Sequence, residues 1–495
     1  MGHAHAFIVG QAQRSHHQQA SVDHPLVLMQ EIASAALADA NIDAAQLDAI
    51  ACVDPFSWTY TDLAQQVAAG IGAAEDLNVF WRPAGGTTPQ DLLHDITQSM
   101  ADGEIDIALI VGAESMRTRR KATRAGEQLP WPPRDKSIQP TRGQRPFSSE
   151  WEARHGLRLP IQSFPIHENA IRHAHGRTAQ AQIALAASLL HENALIAADN
   201  EHAWFQDAPS ADLIATVTED NRMISYPYTK RMNAIMDVDQ AAAVVLVAER
   251  IVDQLADRAN TAAVLGGAGA EEVWNPIERR SLAESRAMDA AFAAALDHAS
   301  LVTADIQAFD FYSCFPAPIQ MAVDALGMDI EDQRPFSLTG GLAYAGGPGN
   351  NYVMHSIATA LRRLRRRPAD RILVTGVGMA NTKHAATLLS NGAHIPDQAT
   401  GVTEYRVATG DTPLAVTQQA EGVATIASYT IEYGRNGRPT NVIYLLDLKD
   451  TSRAIANAED PATAAETLLA EDPIGKAGVV SWDPQAARQF FSLKP

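Results

Sequence analysis

The chain contains two cysteines, Cys52 and Cys314, and an aspartate precedes each of them by four residues. A thiol is a nucleophile or a metal ligand only as the thiolate, so its chemistry depends on what the fold places beside it. Two cysteines in 495 residues exclude a disulfide framework and a cysteine-rich zinc or iron–sulfur site. The segments that position the two thiols therefore decide their roles.

Those segments repeat along the chain. A glycine pair ends at Gly86, 34 residues after the first cysteine, and another ends at Gly347, 33 residues after the second. A histidine follows each pair at plus eight, His94 and His355, and each helix pattern then leads into an apolar strand that ends in glycine. Several coincidences in one order indicate a duplication. We predict two related α/β halves with buried, mostly parallel strands.

Composition limits the partners and the location. The chain has 39 Lys and Arg against 58 Asp and Glu, a formal net charge of −19, which argues against a nucleic-acid or anionic-membrane partner. No run approaches about 20 consecutive apolar residues, so no membrane span is expected. The first residues enter a strand pattern without a basic region or a cleavable apolar core. We expect a cytoplasmic protein.

The domain organisation follows from changes in pattern. Residues 1–250 form the first predicted half, which a polar segment interrupts at about 117–228, and residues 251–400 form the second half. The interrupting segment has no counterpart in the second half, so we interpret it as an inserted loop domain. Residues 410–495 contain short alternating strands, a strong Asn436-Gly437 turn signal and one helix pattern. They predict a small antiparallel β-barrel, similar to an OB fold.

Several motifs resemble the thiolase superfamily, and within it the sterol-carrier-protein-type thiolases and their bacterial thiolase-like relatives. The resemblance covers about residues 6–395. It rests on residues 103–116, on the Tyr312-Ser313-Cys314-Phe315 block, on Ser337-Leu338-Thr339-Gly340-Gly341 and on Gly346-Gly347-Pro348. It implies a duplicated five-layered αβαβα fold with an inserted loop domain, followed here by the extra barrel.

The resemblance places a nucleophilic cysteine at the N-terminus of a buried helix in the first half. That position is Gly86 in this chain, followed by two threonines and Pro89, which suit a helix start but supply no thiol. It places Cys314 at the acid–base thiol, Tyr312 where relatives carry histidine, and Gly347 where they carry a second histidine. Cys314 is alternatively a buried packing cysteine.

The resemblance also implies coenzyme A or an acyl-CoA as substrate, with no permanently bound cofactor, and a homodimer. The phosphates of coenzyme A need cationic or backbone partners, and the inserted segment opens with a basic run. We predict no metal site, because His167, His173 and His175 lack carboxylates at recognised spacing. We interpret a second basic run, residues 362–367, as a solvated helix end. The candidate coenzyme A residues are Arg117, Arg119, Arg120, Gly346 and Gly347.

Three functions remain open. The first is a thiolase-type acyl-CoA acyltransferase of the acetyl-CoA acetyltransferase class, whose usual nucleophile is missing. The second is a retro-aldol lyase that cleaves a 3-hydroxyacyl-CoA, for which Tyr312 and Tyr344 could supply the base that the β-hydroxyl needs. The third is a non-catalytic acyl-CoA-binding protein. The sequence thus leaves open whether the chain is an enzyme.

Overall fold

The computed structural model describes residues 5–16, 23–139, 142–402 and 405–493. The predicted halves and barrel therefore include a few residues outside the described ranges. Apolar runs covered on both faces form strands, as expected for sheets buried between helices. The strands are β1 (Ala6–Ser15), β2 (Ala49–Val53), β3 (Asn78–Phe80), β4 (Ile107–Ser115), β5 (Met223–Ser225), β6 (Tyr228–Thr229), β7 (Asp239–Ala248), β8 (Ala262–Glu271), β9 (Ala308–Asp310), β10 (Arg371–Gly378), β11 (Lys383–Asn391), β12 (Arg406–Val407), β13 (Gly422–Tyr433), β14 (Pro439–Leu448), β15 (Arg453–Asn457), β16 (Ala477–Asp483) and β17 (Arg488–Leu493).

Helices form where alanine and leucine recur at helical spacing, and several begin at a proline in the first turn. They are α1 (Pro25–Ala40), α2 (Leu63–Ile71), α3 (Thr88–Ala101), α4 (Met116–Ala125), α5 (Glu150–Arg154), α6 (Pro160–Ala174), α7 (Ala179–Asp199), α8 (Ala211–Ala215), α9 (Glu249–Leu255), α10 (Arg286–Ala299), α11 (Pro316–Ala325), α12 (Gly341–Tyr344), α13 (Tyr352–Arg366) and α14 (Pro461–Ala470).

The large sheet carries the duplication. Its strand order is β3-β2-β4-β7-β1-β8-β11-β10-β9. In each half the first strand, β1 or β8, lies at the centre of the sheet. The last strand of that half, β7 or β11, lies next to it, and the remaining strands follow toward the edge. The halves meet through β1 and β8, at Phe7 opposite Ala263 and Ile8 opposite Ala262. The backbone of residues 335–336 hydrogen-bonds the outer edge of β9, where β3 lies in the first half. The predicted duplication of an α/β unit is confirmed.

The expectation of mostly parallel strands is wrong. β2 pairs in parallel with β3 and β4, and β9 with β10, but β7 and β11 run antiparallel to their neighbours in the sheet. The reason is local in the second half. Residues 379–382 join β10 directly to β11, and so short a connection permits only an antiparallel pair.

The helices complete five layers. α3 contacts β4 and β7 of the first half and also β8 and β11 of the second, and α13 likewise contacts strands of both halves. These two helices therefore lie between the halves. α1 covers the outer face of the first half and α10 that of the second. The predicted αβαβα arrangement is confirmed, and it buries the start of α3 at the centre.

The segment between β4 and β7 holds α4 to α8 and the short strands β5 and β6, whereas residues 379–382 are all that separates β10 from β11. This agrees with an insertion in the first half. α6 packs on β13, and β5 pairs with β13 at Ser225 opposite Glu432. The inserted segment thus connects the large sheet to the C-terminal strands.

The C-terminal strands close into a small barrel. β13 pairs with β14 and β16, β14 with β15, and β17 with β15 and β16, so the five strands form a ring. All these pairings are antiparallel except the single β15–β17 pair, Asn457 with Phe490. α14 packs against β14. The predicted small barrel is present, and the domain boundaries given above stay predictions.

One helix, α7, is the only one in the described ranges that has the length and composition of a membrane span. Its qualifying window has a mean hydropathy of 1.2 and is 44% buried inside the protein. It packs against α8, α11 and α12. Helices packed in protein cores meet the same criterion, so α7 is weak support for a span.

Candidate active site

Position 86 has no space for a side chain. Gly86 lies two residues before the first residue of α3 and is partly exposed. A Cβ at this position would lie 2.0 Å from the carbonyl oxygen of Val377 and 2.7 Å from the hydroxyl oxygen of Tyr312. Carbon atoms do not approach backbone oxygens so closely without displacing them. Position 86 therefore has neither a thiol nor the space to hold one.

Tyr312 directs its hydroxyl at this glycine. The residue follows β9, and its backbone N–H donates a 2.9 Å hydrogen bond to Thr375 Oγ1 on β10. Its ring packs edge-on against Tyr352, with centroids 5.5 Å apart. Burial, with a smaller contribution from Cys314, raises the pKa of the Tyr312 phenol. The phenol is consequently protonated at neutral pH and can donate a hydrogen bond at the start of α3.

A buried aspartate fixes the surroundings of Tyr312. Asp310, four residues before Cys314, accepts hydrogen bonds from the backbone N–H groups of Leu338 and Thr339 at 2.7 and 3.0 Å. It also accepts one from Ser356 Oγ at 2.9 Å and one from Tyr352 Oη at 3.3 Å. Sequence analysis noted the aspartate as part of the repeat but assigned it no role. It holds the loop before α12 and the ring on which Tyr312 packs.

Cys314 is 9% exposed and lies just before α11. Burial raises the pKa of its thiol, and burial raises the pKa of the Cys52 thiol as well, so both are neutral at physiological pH. The carbonyl oxygen of Cys314 accepts a 3.0 Å hydrogen bond from the backbone of Ala234. A neutral buried thiol is a poor nucleophile, which leaves proton exchange or packing as its role.

Tyr344 lies at the end of α12 and bonds a different segment from Tyr312. Its hydroxyl donates a 3.4 Å hydrogen bond to the carbonyl oxygen of Arg231, and burial raises its pKa. In the part of the chain that the structure describes, no hydrogen bond or ring contact joins Tyr344 to Tyr312 or Cys314. The segment 231–235 connects the two regions, because the N–H of Ala234 bonds the carbonyl of Cys314 and the N–H of Ile235 bonds that of Leu342.

The three arginines predicted to bind coenzyme A all lie on α4 but have different partners. The guanidinium of Arg117 stands 5.3 Å from the ring centre of Trp204. Arg119 donates a 3.3 Å hydrogen bond to the carbonyl oxygen of Phe56, and Arg120 lies 3.7 Å from the carboxylate of Asp237. The three guanidinium groups thus contact three different segments and do not share a partner.

The two glycines predicted to bind coenzyme A are packed against protein. The N–H of Gly347 donates a 2.8 Å hydrogen bond to the carbonyl oxygen of Ile235. Gly346 has a φ of +105°, and a Cβ there would lie 2.3 Å from Gln240 Oε1. The positive φ and the close contact explain glycine at position 346 without a ligand. The role of both glycines toward coenzyme A stays a prediction.

Sequence analysis missed Glu114, a buried carboxyl at the end of β4. Burial raises the pKa of the Glu114 carboxyl to about 7. Hydrogen bonds from the backbone N–H groups of Phe56 and Ser57, at 2.6 and 2.9 Å, and the charge of Arg119 act in the opposite direction. A Cβ at Gly349 would lie 2.2 Å from Glu114 Oε1. A charged residue directly after the apolar run 107–113 was the signal that could have identified it. It joins the loops at 56–57 and 349.

The histidines are dispersed. His94 and His355 lie on the central helices α3 and α13, where burial lowers the pKa of each to about 3. His167 is buried beside Arg279, whereas His173 and His175 pair with surface aspartates. Within the described ranges, no group of three or more His, Cys, Asp or Glu side chains is arranged to hold a metal ion.

A family model described as the thiolase-like protein type 1 additional C-terminal domain matches residues 406–485. No curated protein matches the sequence. A solved structure of a monomeric SCP2-thiolase-like protein type 1 from Mycobacterium smegmatis is similar over 99% of both chains, with 28% identity and a TM-score of 0.82. The similarity thus includes the large sheet and the barrel together.

Two more distant structures share the fold. One is described as an Ltp2-ChsH2(DUF35) aldolase, with 18% identity and a TM-score of 0.62 over 79% of this chain and 99% of that one. The other is human mitochondrial 3-ketoacyl-CoA thiolase in complex with CoA, with 15% identity and a TM-score of 0.56 over 78% and 98%. At such identities the likeness supports the fold alone.

Proposed function

We propose that this chain, a thiolase-superfamily protein with an additional C-terminal domain, binds acyl-CoA thioesters and forms no acyl-cysteine. One observation carries the proposal. A Cβ at Gly86 would lie 2.7 Å from the Tyr312 hydroxyl and 2.0 Å from the Val377 carbonyl oxygen, so the place of a nucleophile is filled. The relation to a CoA-bound thiolase supports the ligand class through the fold.

The local chemistry favours stabilisation of charge over covalent transfer. Tyr312 presents a protonated phenol at the N-terminal end of α3, where the helix dipole favours negative charge. A thioester oxygen or an enolate placed there would accept the phenol hydrogen bond. Thiolysis would instead need a thiolate, and burial keeps the Cys314 thiol protonated.

A second candidate is the retro-aldol cleavage of a 3-hydroxyacyl-CoA. In this reaction the β-hydroxyl gives its proton to solvent water and the β-carbon becomes a carbonyl. The bond between the α- and β-carbons breaks, and its electron pair forms an enolate that takes a proton back at the α-carbon, without a covalent thioester to the protein. The protonated Tyr312 phenol favours it as the enolate donor. Tyr344 is a poor base at neutral pH because its pKa is raised, so its proposed acid–base role is that of a donor.

The test combines binding and cleavage. An acyl-CoA should raise the melting temperature of the full chain by mass action, with short and long acyl chains compared. If the protein is a retro-aldol lyase, it should cleave a 3-hydroxyacyl-CoA with a branched β-carbon, and Tyr312→Phe should lose that activity. Tyr444→Phe, a buried tyrosine of the barrel, is the matched control.

The outcomes separate the functions. Binding with cleavage that depends on Tyr312 supports the lyase, and binding without any reaction supports an acyl-CoA-binding protein. No thermal shift at millimolar acyl-CoA would contradict the proposal as a whole. A cytoplasmic location is part of the proposal and rests on sequence alone. The homodimer expected from the family is also untested, and the Mycobacterium smegmatis protein is described as monomeric.

A further inference from the structure

A cavity of about 360 Å³ lies at the C-terminal end of α13. One wall is formed by the last two turns of that helix, a second by the end of α7, and the third by residues 335–338. Four guanidinium groups line it, and we call it the arginine cavity. They belong to Arg362, Arg363, Arg366 and Arg367.

Two of these arginines are engaged in ion pairs. Arg362 lies 2.7 Å from a carboxylate oxygen of Glu201, and Arg363 lies 2.7 Å from one of Asp370. Their side chains are 25% and 22% exposed, so they form a fixed base for the cavity. Arg365, on the other side of the helix, pairs with Asp39 and does not line the cavity.

Arg366 and Arg367 are exposed at the mouth of the cavity. In the described parts of the chain, neither lies within ion-pair distance of a carboxylate. One acidic side chain, Asp199 at the end of α7, also lines the cavity. The four guanidinium groups therefore outnumber the nearby carboxylates, and the excess positive charge lies at the mouth.

The rest of the lining combines apolar residues, Ile196, Pro335 and Leu338, with polar ones that are already hydrogen-bonded. Asn200 Nδ2 donates a 2.9 Å hydrogen bond to the carbonyl oxygen of Thr339, and Thr359 Oγ1 accepts one of 3.2 Å from Gln13. Ser337 Oγ accepts a 2.9 Å hydrogen bond from the N–H of Gly340. These bonds fix the floor, so ligand binding depends on the arginines.

We propose that the arginine cavity binds an organic molecule carrying two phosphate groups. Guanidinium forks bind phosphate oxygens through paired hydrogen bonds, and a volume of about 360 Å³ is in the range of small-ligand sites. Two phosphates match the two exposed guanidinium groups, Arg366 and Arg367, for which the described parts of the chain provide no carboxylate within ion-pair distance. In a chain of net charge −19, such a cluster attracts anions against the overall field.

The probe is ADP, titrated into the full chain by calorimetry at low and at physiological ionic strength. We expect saturable binding of one ADP that weakens with salt, because guanidinium–phosphate attraction is screened. The double variant Arg366→Gln/Arg367→Gln should lower the affinity by roughly tenfold or more, since each arginine contributes charge-assisted hydrogen bonds. Both residues are exposed, so the variant should fold normally.

Arg435→Gln is the matched control, because Arg435 is an exposed arginine in the turn between β13 and β14. Competition by pyrophosphate and not by adenosine would support recognition of phosphate. The proposal is overturned if millimolar ADP gives no saturable binding. It is also overturned if the double variant binds as well as the parent or no more weakly than the control, or if adenosine competes where pyrophosphate does not.

CoA, which also carries phosphates, separates this cavity from the candidate active site. CoA binding that the double variant abolishes would place its phosphates in the arginine cavity and support the proposal. CoA binding that the double variant leaves intact, together with loss of ADP binding, would also support a phosphate site distinct from the thioester site.

Discussion

The Tyr312 hydroxyl occupies the space that a side chain at Gly86 would need. A Cβ on Gly86 would lie 2.7 Å from Tyr312 Oη and 2.0 Å from the carbonyl oxygen of Val377. The two residues are far apart in sequence and belong to different halves of the duplicated fold. Their contact connects the missing nucleophile to the tyrosine that replaces a histidine of the family.

The contact predicts that Gly86 tolerates no substitution. Gly86→Ala should lower the free energy of unfolding by about 1–3 kcal/mol, because its Cβ must displace the β10 backbone or the Tyr312 ring. Gly85→Ala is the control, since a Cβ there would meet only Thr88 Oγ1, at 3.9 Å. Urea unfolding of both variants measures the difference. Equal stability of the two variants would contradict the packing described here.

For the same reason Gly86→Cys should not create a thiolase. The added Cβ would collide with the phenol of Tyr312 and the carbonyl oxygen of Val377, so the site must rearrange before it can hold a sulfur there. We expect a destabilised protein with no acyl adduct after incubation with acetyl-CoA. Peptide mapping locates any adduct. An acylated residue 86 in a stable variant would show that the site opens more readily than its packing indicates.

Buried histidines predict loss of stability in acid. Burial lowers the pKa of His94 and His355 to about 3, from 6.5 for an unburied histidine. As the pH falls from about 6.5 toward 3, these histidines bind protons in the unfolded chain and stay neutral in the folded chain. The free energy of unfolding therefore falls. Between pH 7 and pH 5 each buried histidine should contribute up to about 2 kcal/mol of this loss.

His94→Gln tests whether the buried histidines cause the loss of stability in acid. The variant should lose less stability than the parent between pH 7 and pH 5, whatever its stability at pH 7. His394→Gln, at an exposed loop position, should keep the parental dependence on pH. Urea unfolding at the two pH values gives the comparison. A parental slope in the His94 variant would show that other groups govern the acid sensitivity.

The barrel is tied to the inserted segment by a partly buried ion pair. Arg172 of α6, whose side chain is 5% exposed, donates a hydrogen bond to Asp472, which is 37% exposed. Asp472→Asn should destabilise the protein by about 1–3 kcal/mol, because the buried guanidinium loses its charged partner. Glu466→Gln, an exposed carboxylate of α14, is the control. Thermal unfolding that is unchanged in Asp472→Asn would mean that the barrel docks without this pair.

Part of this architecture could be predicted from sequence because it repeats. The aspartates before the two cysteines and the histidines after the two glycine pairs have matching positions, and the strand order confirms the duplication. Asp48 and Asp310 also act alike, since each accepts hydrogen bonds from backbone N–H groups of a neighbouring segment. Local spacing and hydrophobic pattern carry this information.

Contacts between distant segments could not be predicted in the same way. The sequence marks Gly86 and Tyr312 separately, but only the fold brings them together. The run 362–367 suggested a solvated helix end, and the cavity formed with residues 335–338 and α7 is visible only in three dimensions. The direction of β7 and β11 also depends on the connections, which the apolar pattern of a strand does not report.

The most direct test of the central claim is the mass of the protein after exposure to a thioester donor. The unaltered chain is incubated with acetyl-CoA or acetoacetyl-CoA, and its intact mass and the peptides holding Cys52 and Cys314 are then measured. We predict an unchanged mass and negligible thiolysis of a 3-ketoacyl-CoA. An acyl adduct on Cys314, or rapid thiolysis by the unaltered protein, would contradict the proposal that no acyl-cysteine forms.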